Sequence, residues 1–321
     1  MPANRSDQVF QVLIAGLVCL LTACASPTER FSIVMLPDTQ FYSEKHPEVF
    51  HAQTQWVAEH VESENIRFVT HVGDVVQNWD QSEAEWNVAE EAMGRLDGIV
   101  PWGVAIGNHD YDLGQDGQPG RDASAFLKRF GPQRFDRRDW FGGSHPNGIN
   151  TYQLFEAGLR SFLILHLEAD VPDDAIDWAE GVLEAHPELP AIVTTHIYIS
   201  DKIGGRTPTA YMGGDGANSG EEIWQKFIRK NPQIFMVLCG HWDTVGGEWK
   251  QVSMNDADQE VIEVLADFQT RENGGNGWLR VIQFDEAESK VWFKTYSPSL
   301  DRHEDDNNSE FFFNVNFEER F

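Results

Sequence analysis

The sequence predicts an α/β fold, and three observations carry that prediction. Short apolar runs of strand length alternate with longer amphipathic stretches of helical period. Several of the strand-like runs end in Asp, Asn or His, the place where open α/β sheets gather their sites. No internal repeat and no Pro- or Ser-rich linker interrupts the body, so residues 31–321 read as one domain.

In chain order, strands are expected at Phe31–Leu36, Ile66–Val72, Val100–Ile106, Thr151–Phe155, Arg160–His166, Ala191–Thr195, Ile234–Leu238, Val261–Asp267, Trp278–Phe284 and Lys290–Tyr296, all apolar runs of strand length. Helices are expected at Glu48–Ser63, Ser82–Leu96, Ala123–Phe130, Asp173–Ala185 and Glu221–Asn231. The first two open on acidic turns, which suit the positive end of the helix dipole. Tyr111–Gly120, Phe141–Asn150 and Gly204–Gly220 are rich in Gly, Asp and Asn and read as surface loops. The acidic tail Asp301–Glu310 is expected to be solvated, and Phe311-Phe312-Phe313 to pack a short strand against the body.

The chain has 321 residues, with 24 Lys+Arg against 52 Asp+Glu and a formal charge of −28. Hydrophobic residues make up 41%, including 11 Trp and 21 Phe, which supports a packed core and excludes a disordered acidic chain. Such a charge repels nucleic-acid phosphates, so no nucleic-acid partner is expected. Any phosphate-bearing substrate needs a strong local cation.

The first 23 residues read as an export signal: a polar stretch with Arg5, an apolar run Val12–Leu21, then Leu21-Thr22-Ala23-Cys24. The run is too short to span a bilayer comfortably. Its ending resembles a bacterial lipobox, in which Cys24 is lipidated and becomes the new N-terminus. Residues 24–30 are then a tether, and the body is held at a membrane of the bacterial cell envelope, on its periplasmic or extracellular face. An ordinary signal peptide or an uncleaved anchor is the alternative. Three cysteines, Cys19, Cys24 and Cys239, are too few for a disulfide framework. Cys239 ends an apolar run and reads as a core residue rather than a nucleophile.

Five strand ends carry ligand-type residues: Asp38-Thr39-Gln40, Gly73-Asp74, Gly107-Asn108-His109-Asp110, His196, and Gly240-His241-Trp242-Asp243. Alone, an Asp after a strand is often a helix cap and a His often a satisfied core residue. The other histidines, His71 and His166 among them, are read that way. In this order and spacing, the five segments resemble the signature of the calcineurin-like metallophosphoesterases, and the resemblance extends from Phe31 to Tyr296. It implies a four-layer αββα sandwich of two mixed sheets flanked by helices.

Phosphoester hydrolysis at neutral pH needs an activated water and a partner for negative charge on the phosphoryl oxygens, and two divalent ions supply both. The resemblance implies that Asp74 bridges the ions. Asn108, His196 and His241 complete one of them, and Asp38 holds the other. At Gln40 and Asp243 the family pattern has His. If both still coordinate, that ion's ligand set is almost all oxygen and favours Mn or Mg over Zn, whereas the imidazole side suits Zn, Fe or Mn. Gln40 either coordinates or orients a water, whereas Asp243 is expected to coordinate. His109 is expected to protonate the leaving oxygen and Asp110 to orient His109. Asn78 is expected to shape the loop after Asp74, and Trp242, Phe268 and Trp278 are read first as core.

The leading expectation is an exported, membrane-anchored phosphoesterase acting on a phosphomonoester or phosphodiester. The departures at Gln40 and Asp243 motivate a second one, a non-catalytic or weakly metal-binding surface lipoprotein that keeps the fold. A third is other metallohydrolase chemistry at the same site. No Gly-x-Ser-x-Gly elbow supports a serine mechanism.

Overall fold

The computed structural model describes residues 30–118 and 120–321. The expected signal segment 1–23, Cys24 and the tether as far as residue 29 lie outside the described residues. The strands are β1 (Arg30–Leu36), β2 (Ile66–His71), β3 (Trp102–Val104), β4 (Phe141–Ser144), β5 (Thr151–Ala157), β6 (Arg160–His166), β7 (Ala191–Thr194), β8 (Ile199–Ser200), β9 (Gly205–Arg206), β10 (Ile234–Cys239), β11 (Glu248–Met254), β12 (Glu260–Ala266), β13 (Leu279–Asp285), β14 (Lys290–Ser297), β15 (Arg302–Glu304) and β16 (Glu310–Asn314). The longer helices are α1 (Gln40–Lys45), α2 (Pro47–His60), α3 (Glu83–Gly94), α4 (Ser124–Phe130), α5 (Asp173–Ala185) and α6 (Gly220–Lys226).

Two seven-stranded mixed sheets form the centre. The first runs β15-β14-β13-β1-β2-β3 with β16 also on β14, and the second runs β11-β12-β10-β7-β6-β5-β4. In each, the middle is parallel: β1, β2 and β3 in one, and β6, β7, β10 and β12 in the other. Parallel strands covered on both faces need apolar residues at every position, which is why these runs are nearly continuous. Successive side chains point to opposite faces, so β1 sends Phe31, Ile33 and Met35 into the core between the sheets and Val34 and Leu36 against α2 and α3. A third core lies under α5 and α6 and includes Val193, Val237 and the buried thiol of Cys239. Three apolar interfaces thus separate four layers, helix, sheet, sheet and helix.

A buried polar seam crosses the apolar middle. Thr70 of β2 bonds His166 of β6 (2.9 Å) and Thr194 of β7 (2.8 Å), and His166 Nδ1 meets Gln153 of β5 (2.7 Å). The His166 ring needs a glycine opposite it, because a Cβ at Gly103 would overlap the imidazole.

Several boundaries differ from the sequence expectation, each for a local reason. The third strand stops at Val104, where the chain turns toward Gly107. The helix expected to reach Asn231 ends at Lys226, and a single 3-10 turn, Ile228–Lys230, follows. Phe141–Ser144, expected as loop, is an edge strand whose glycines let it lie against the Tyr152 ring. The expected strand at Phe311–Phe313 is β16 on β14.

Candidate metal centre

The carboxyl ends of the parallel strands of both sheets meet at one pole. The turn after β2 places Asp74 in the left-handed region (φ 53°), and the turn after β10 does the same to His241 (φ 74°). Backbone strain at non-glycine residues is held where the surroundings overdetermine it, most often at functional sites. Two glycines permit the close approach. A Cβ at Gly107 would collide with Oδ1 of Asp74, and one at Gly240 with Oδ1 of Asp38.

His196, wholly buried, shows what the pole is built for. Its Nδ1 lies 3.0 Å from the Val72 carbonyl, which can only accept, so Nδ1 carries the proton. Its Nε2 faces Asn108 Oδ1 (3.0 Å), His241 Nδ1 (3.2 Å) and Asp74 Oδ2 (3.3 Å). Burial, reinforced by His196, pushes His241 down to about 3, so that ring is neutral with a lone pair to give. Ligand atoms of Asp74, His196 and His241 all lie within 4.8 Å of one another. Two imidazoles, a carboxylate and an amide oxygen facing a common space make a donor set for a divalent cation.

Asp38, also wholly buried, accepts the His241 N–H at 3.1 Å and lies 4.0 Å from His196 Nε2. Gln40 opens α1, a helix of six residues too short to show in the sequence pattern. Its amide nitrogen donates to Gln77 Oε1 (2.6 Å), while its own Oε1 is buried without a partner. Asp243 Oδ2 accepts the Thr270 N–H at 2.7 Å. Gln40, Asp74, Asn108, His241 and Asp243 line a cavity of about 270 Å³, together with Tyr211, whose ring packs edge-on against His241. Among the described residues, no Lys or Arg lines it. A larger cavity of about 640 Å³ lies at the opposite pole, beside Ile66 and Pro101 where β2 and β3 begin, and carries none of these ligand-type residues.

His109 faces the same cavity, but its support differs from expectation. Asp110 does not touch the His109 ring. Its carboxylate is buried and accepts the N–H groups of Gly107, Asp74 and Val75, each at 2.8 Å, so it ties the third loop to the second. Burial and the Asp74 charge push Asp110 up to about 8, against those N–H bonds. The ring of His109 is held instead by the Gln77 carbonyl (2.7 Å from Nδ1) and by Trp79, stacked at 4.7 Å. Asn78 shapes the loop as expected, its amide bonded to Glu85. Phe268 and Trp278 are core, whereas Trp242 is half-buried and lines the cavity, because it follows the His241 turn outward.

Residues 31–243 match the calcineurin-like phosphoesterase family. The chain belongs to that family. Uncharacterized protein YvnB of Bacillus subtilis (strain 168) is 32% identical over 274 residues, covering 84% of this chain and 20% of that protein. The chain therefore spans about a fifth of that relative's length. A crystal structure of a dimetal phosphatase from Danio rerio matches with a TM-score of 0.53 and 11% identity, over 89% of this chain and 99% of that one, and shows the shared fold.

As a member of this family, the chain carries the ligand pattern of metal-dependent phosphoester hydrolases. The residues present fit the two divalent ions the family implies, since the imidazoles of His196 and His241, the carboxylates of Asp38 and Asp74 and the orphaned amide oxygen of Gln40 gather at this pole. Sequence reasoning missed Gln77 and Trp79. Gln77 acts through a main-chain carbonyl, which no residue type advertises. Trp79 could have been singled out as an aromatic five residues past Asp74.

Proposed function

We propose that this protein is an exported, lipid-anchored phosphoesterase whose dinuclear centre is held by Asp38, Asp74, Asn108, His196, His241 and Asp243, with Gln40 turning its free oxygen to the same space. The observation that carries the reading is the convergence of His196, His241 and Asp74, whose ligand atoms all lie within 4.8 Å of one another, with Asn108 Oδ1 3.0 Å from His196 Nε2. When bound, the two ions supply positive charge for the phosphoryl oxygens and acidify the attacking water.

The protein's own groups do the rest. Asp74 lies 3.3 Å from His196 Nε2 and close enough to Asp38 to repel it, so one carboxylate could serve both ions. His109 keeps Nδ1–H on the Gln77 carbonyl, so Nε2, once it has taken a proton from water, can hand that proton to the leaving oxygen. Its main-chain N–H bonds Asp74 Oδ1 at 2.8 Å, which fixes the proton donor relative to the bridging carboxylate. Tyr211 and Trp242 wall one side and limit water. A phosphomonoester or an unhindered diester suits a cavity of this size.

Anchoring rests on Leu21-Thr22-Ala23-Cys24 and on the place where the body begins. Arg30 starts β1, and Asp38 lies just past its other end, about 20 Å away for a strand of this length. A tether ending at Arg30 leaves the metal pole facing away from the membrane. Among the described residues, no helix is long and apolar enough to cross a membrane.

The test is hydrolysis of nitrophenyl phosphate and bis-nitrophenyl phosphate by purified protein. Turnover is expected to vanish with chelator and to return with Mn. Fewer than one bound ion per chain, with no turnover on a broad phosphoester panel, would favour a non-catalytic lipoprotein instead. Metabolic labelling with a fatty acid, lost in Cys24→Ser, tests the anchor independently.

A further inference from the structure

Asp267 belongs to none of the five strand-end segments that match the family pattern. It follows β12 directly, and β12 runs parallel to β10 with Leu265 opposite Cys239. Asp267 comes two residues after Leu265, as His241 comes two after Cys239, and the His241 N–H is held by Asp38. Its side chain is wholly buried. Both of its oxygens are satisfied only by Gln269, through the main-chain N–H (3.0 Å) and the side-chain amide (2.9 Å). Asp38 and Asp243 are close enough to repel it. Among the described residues, no Lys or Arg hydrogen-bonds or pairs with Asp38, Asp74, Asp243 or Asp267.

A second observation points into the same space. Gln40 is 3% exposed, and its Oε1 has no donor. Gln269 spends its amide nitrogen on Asp267, and its Oε1 is likewise buried and unpartnered. Both glutamines line the cavity. Buried acceptors without donors cost free energy unless a cation meets them.

We propose that Asp267 is part of the metal centre, its carboxylate serving the ion on the Asp38 side in place of the imidazoles that Gln40 and Asp243 replace. That ion is then held by oxygens and is a hard cation of the Mn or Mg class, while the His196–His241 side takes a borderline ion. The assignment rests on the dinuclear reading above.

The test uses the full chain, stripped and reloaded with Mn, with bound ions counted by elemental analysis and melting followed with Mn and with EDTA. Wild type is expected to hold two ions. Asp267→Asn is expected to hold one tightly and the other at least about tenfold more weakly, on the scale of losing a supporting ligand. In EDTA the variant should melt at or above wild type, because one buried repulsion is gone, and with Mn it should melt below. Two ions at wild-type affinity, or equal destabilisation in both conditions, overturns the role of Asp267. A wild type that binds no ion overturns the dinuclear reading as well. Should Asp267→Asn not fold, Gln40→His in the wild-type background decides. The added imidazole should shift this ion's preference from Mn toward Zn, and an unchanged Zn/Mn ratio refutes an oxygen-held ion.

Discussion

His166 ends β6, His196 lies two residues past the end of the neighbouring parallel strand β7, and both are fully buried, yet they are different kinds of residue. In His166, both ring nitrogens meet side chains: Gln153 Oε1 at 2.7 Å and the Thr70 hydroxyl at 2.9 Å. The hydroxyl donates or accepts as required, so the neutral ring is complete. In His196, the Val72 carbonyl takes the Nδ1 proton and Nε2 faces Asn108, Asp74 and His241, which are themselves ligand-type groups. Burial does not make a ligand; a ring nitrogen set among other ligand atoms does. His71 sits with His166 in this respect, its Nδ1 accepting from Gly73 N–H and its Nε2–H donating to Thr39.

The comparison breaks most visibly at the metal pole. Asp74→Asn should cost more turnover than any other single change, since it removes negative charge from between the two sides while keeping the shape. His109→Ala follows, at about 10²–10⁴-fold, the usual contribution of a positioned proton donor. Steady-state rates on nitrophenyl phosphate, measured with saturating Mn, check both. Wild-type-like turnover in Asp74→Asn would sink the dinuclear reading. Neither change should lower the melting temperature in EDTA by more than a few degrees.

Much of this pole was legible because each ligand follows an apolar run directly, and glycines accompany three of the turns at Gly73, Gly107 and Gly240. The layering was legible through the alternation of strands and helices. What escaped depends on contacts between segments distant in the chain. Asp110 has the look of a partner for His109, yet its oxygens serve N–H groups of two loops that meet only after folding. Asp267 has the same strand-end position as Asp74 but no glycine or histidine beside it to mark it. Edge strands such as β11 show mixed polarity because only one side is paired, so their pattern is weak. The formal charge of −28 is resolved in part by position: the cavity contains no cationic side chain, so any attraction for a phosphoester comes from bound metal.

The seam should respond in the opposite manner to the pole. His166→Ala removes a ring that joins both sheets and takes one hydrogen-bond partner from each of Thr70 and Gln153, at a cost of about 2–4 kcal/mol. Turnover per folded molecule should change little. Urea unfolding in EDTA, paired with active-site-normalised rates, separates the two readouts. A loss of rate larger than the loss of folded protein would mean that the seam also positions the catalytic loops.

The smallest effect concerns protons. Burial, reinforced by His71, pushes His166 down to about 3 from 6.5. The folded state therefore binds fewer protons than the unfolded state between those two values, and stability must rise with pH across that window. The contribution is complete above about pH 6.5 and is lost as pH falls toward 3, at about 1.4 kcal/mol per unit for one such ring. Unfolding free energies at pH 7, 6, 5 and 4 in EDTA give the slope for wild type and His166→Ala. The variant should be flatter by about that amount per unit below pH 6, since its unfolded state no longer gains this proton. Equal slopes would show that the ring is not held neutral in the folded protein, and the contrast with His196 would then rest on position alone.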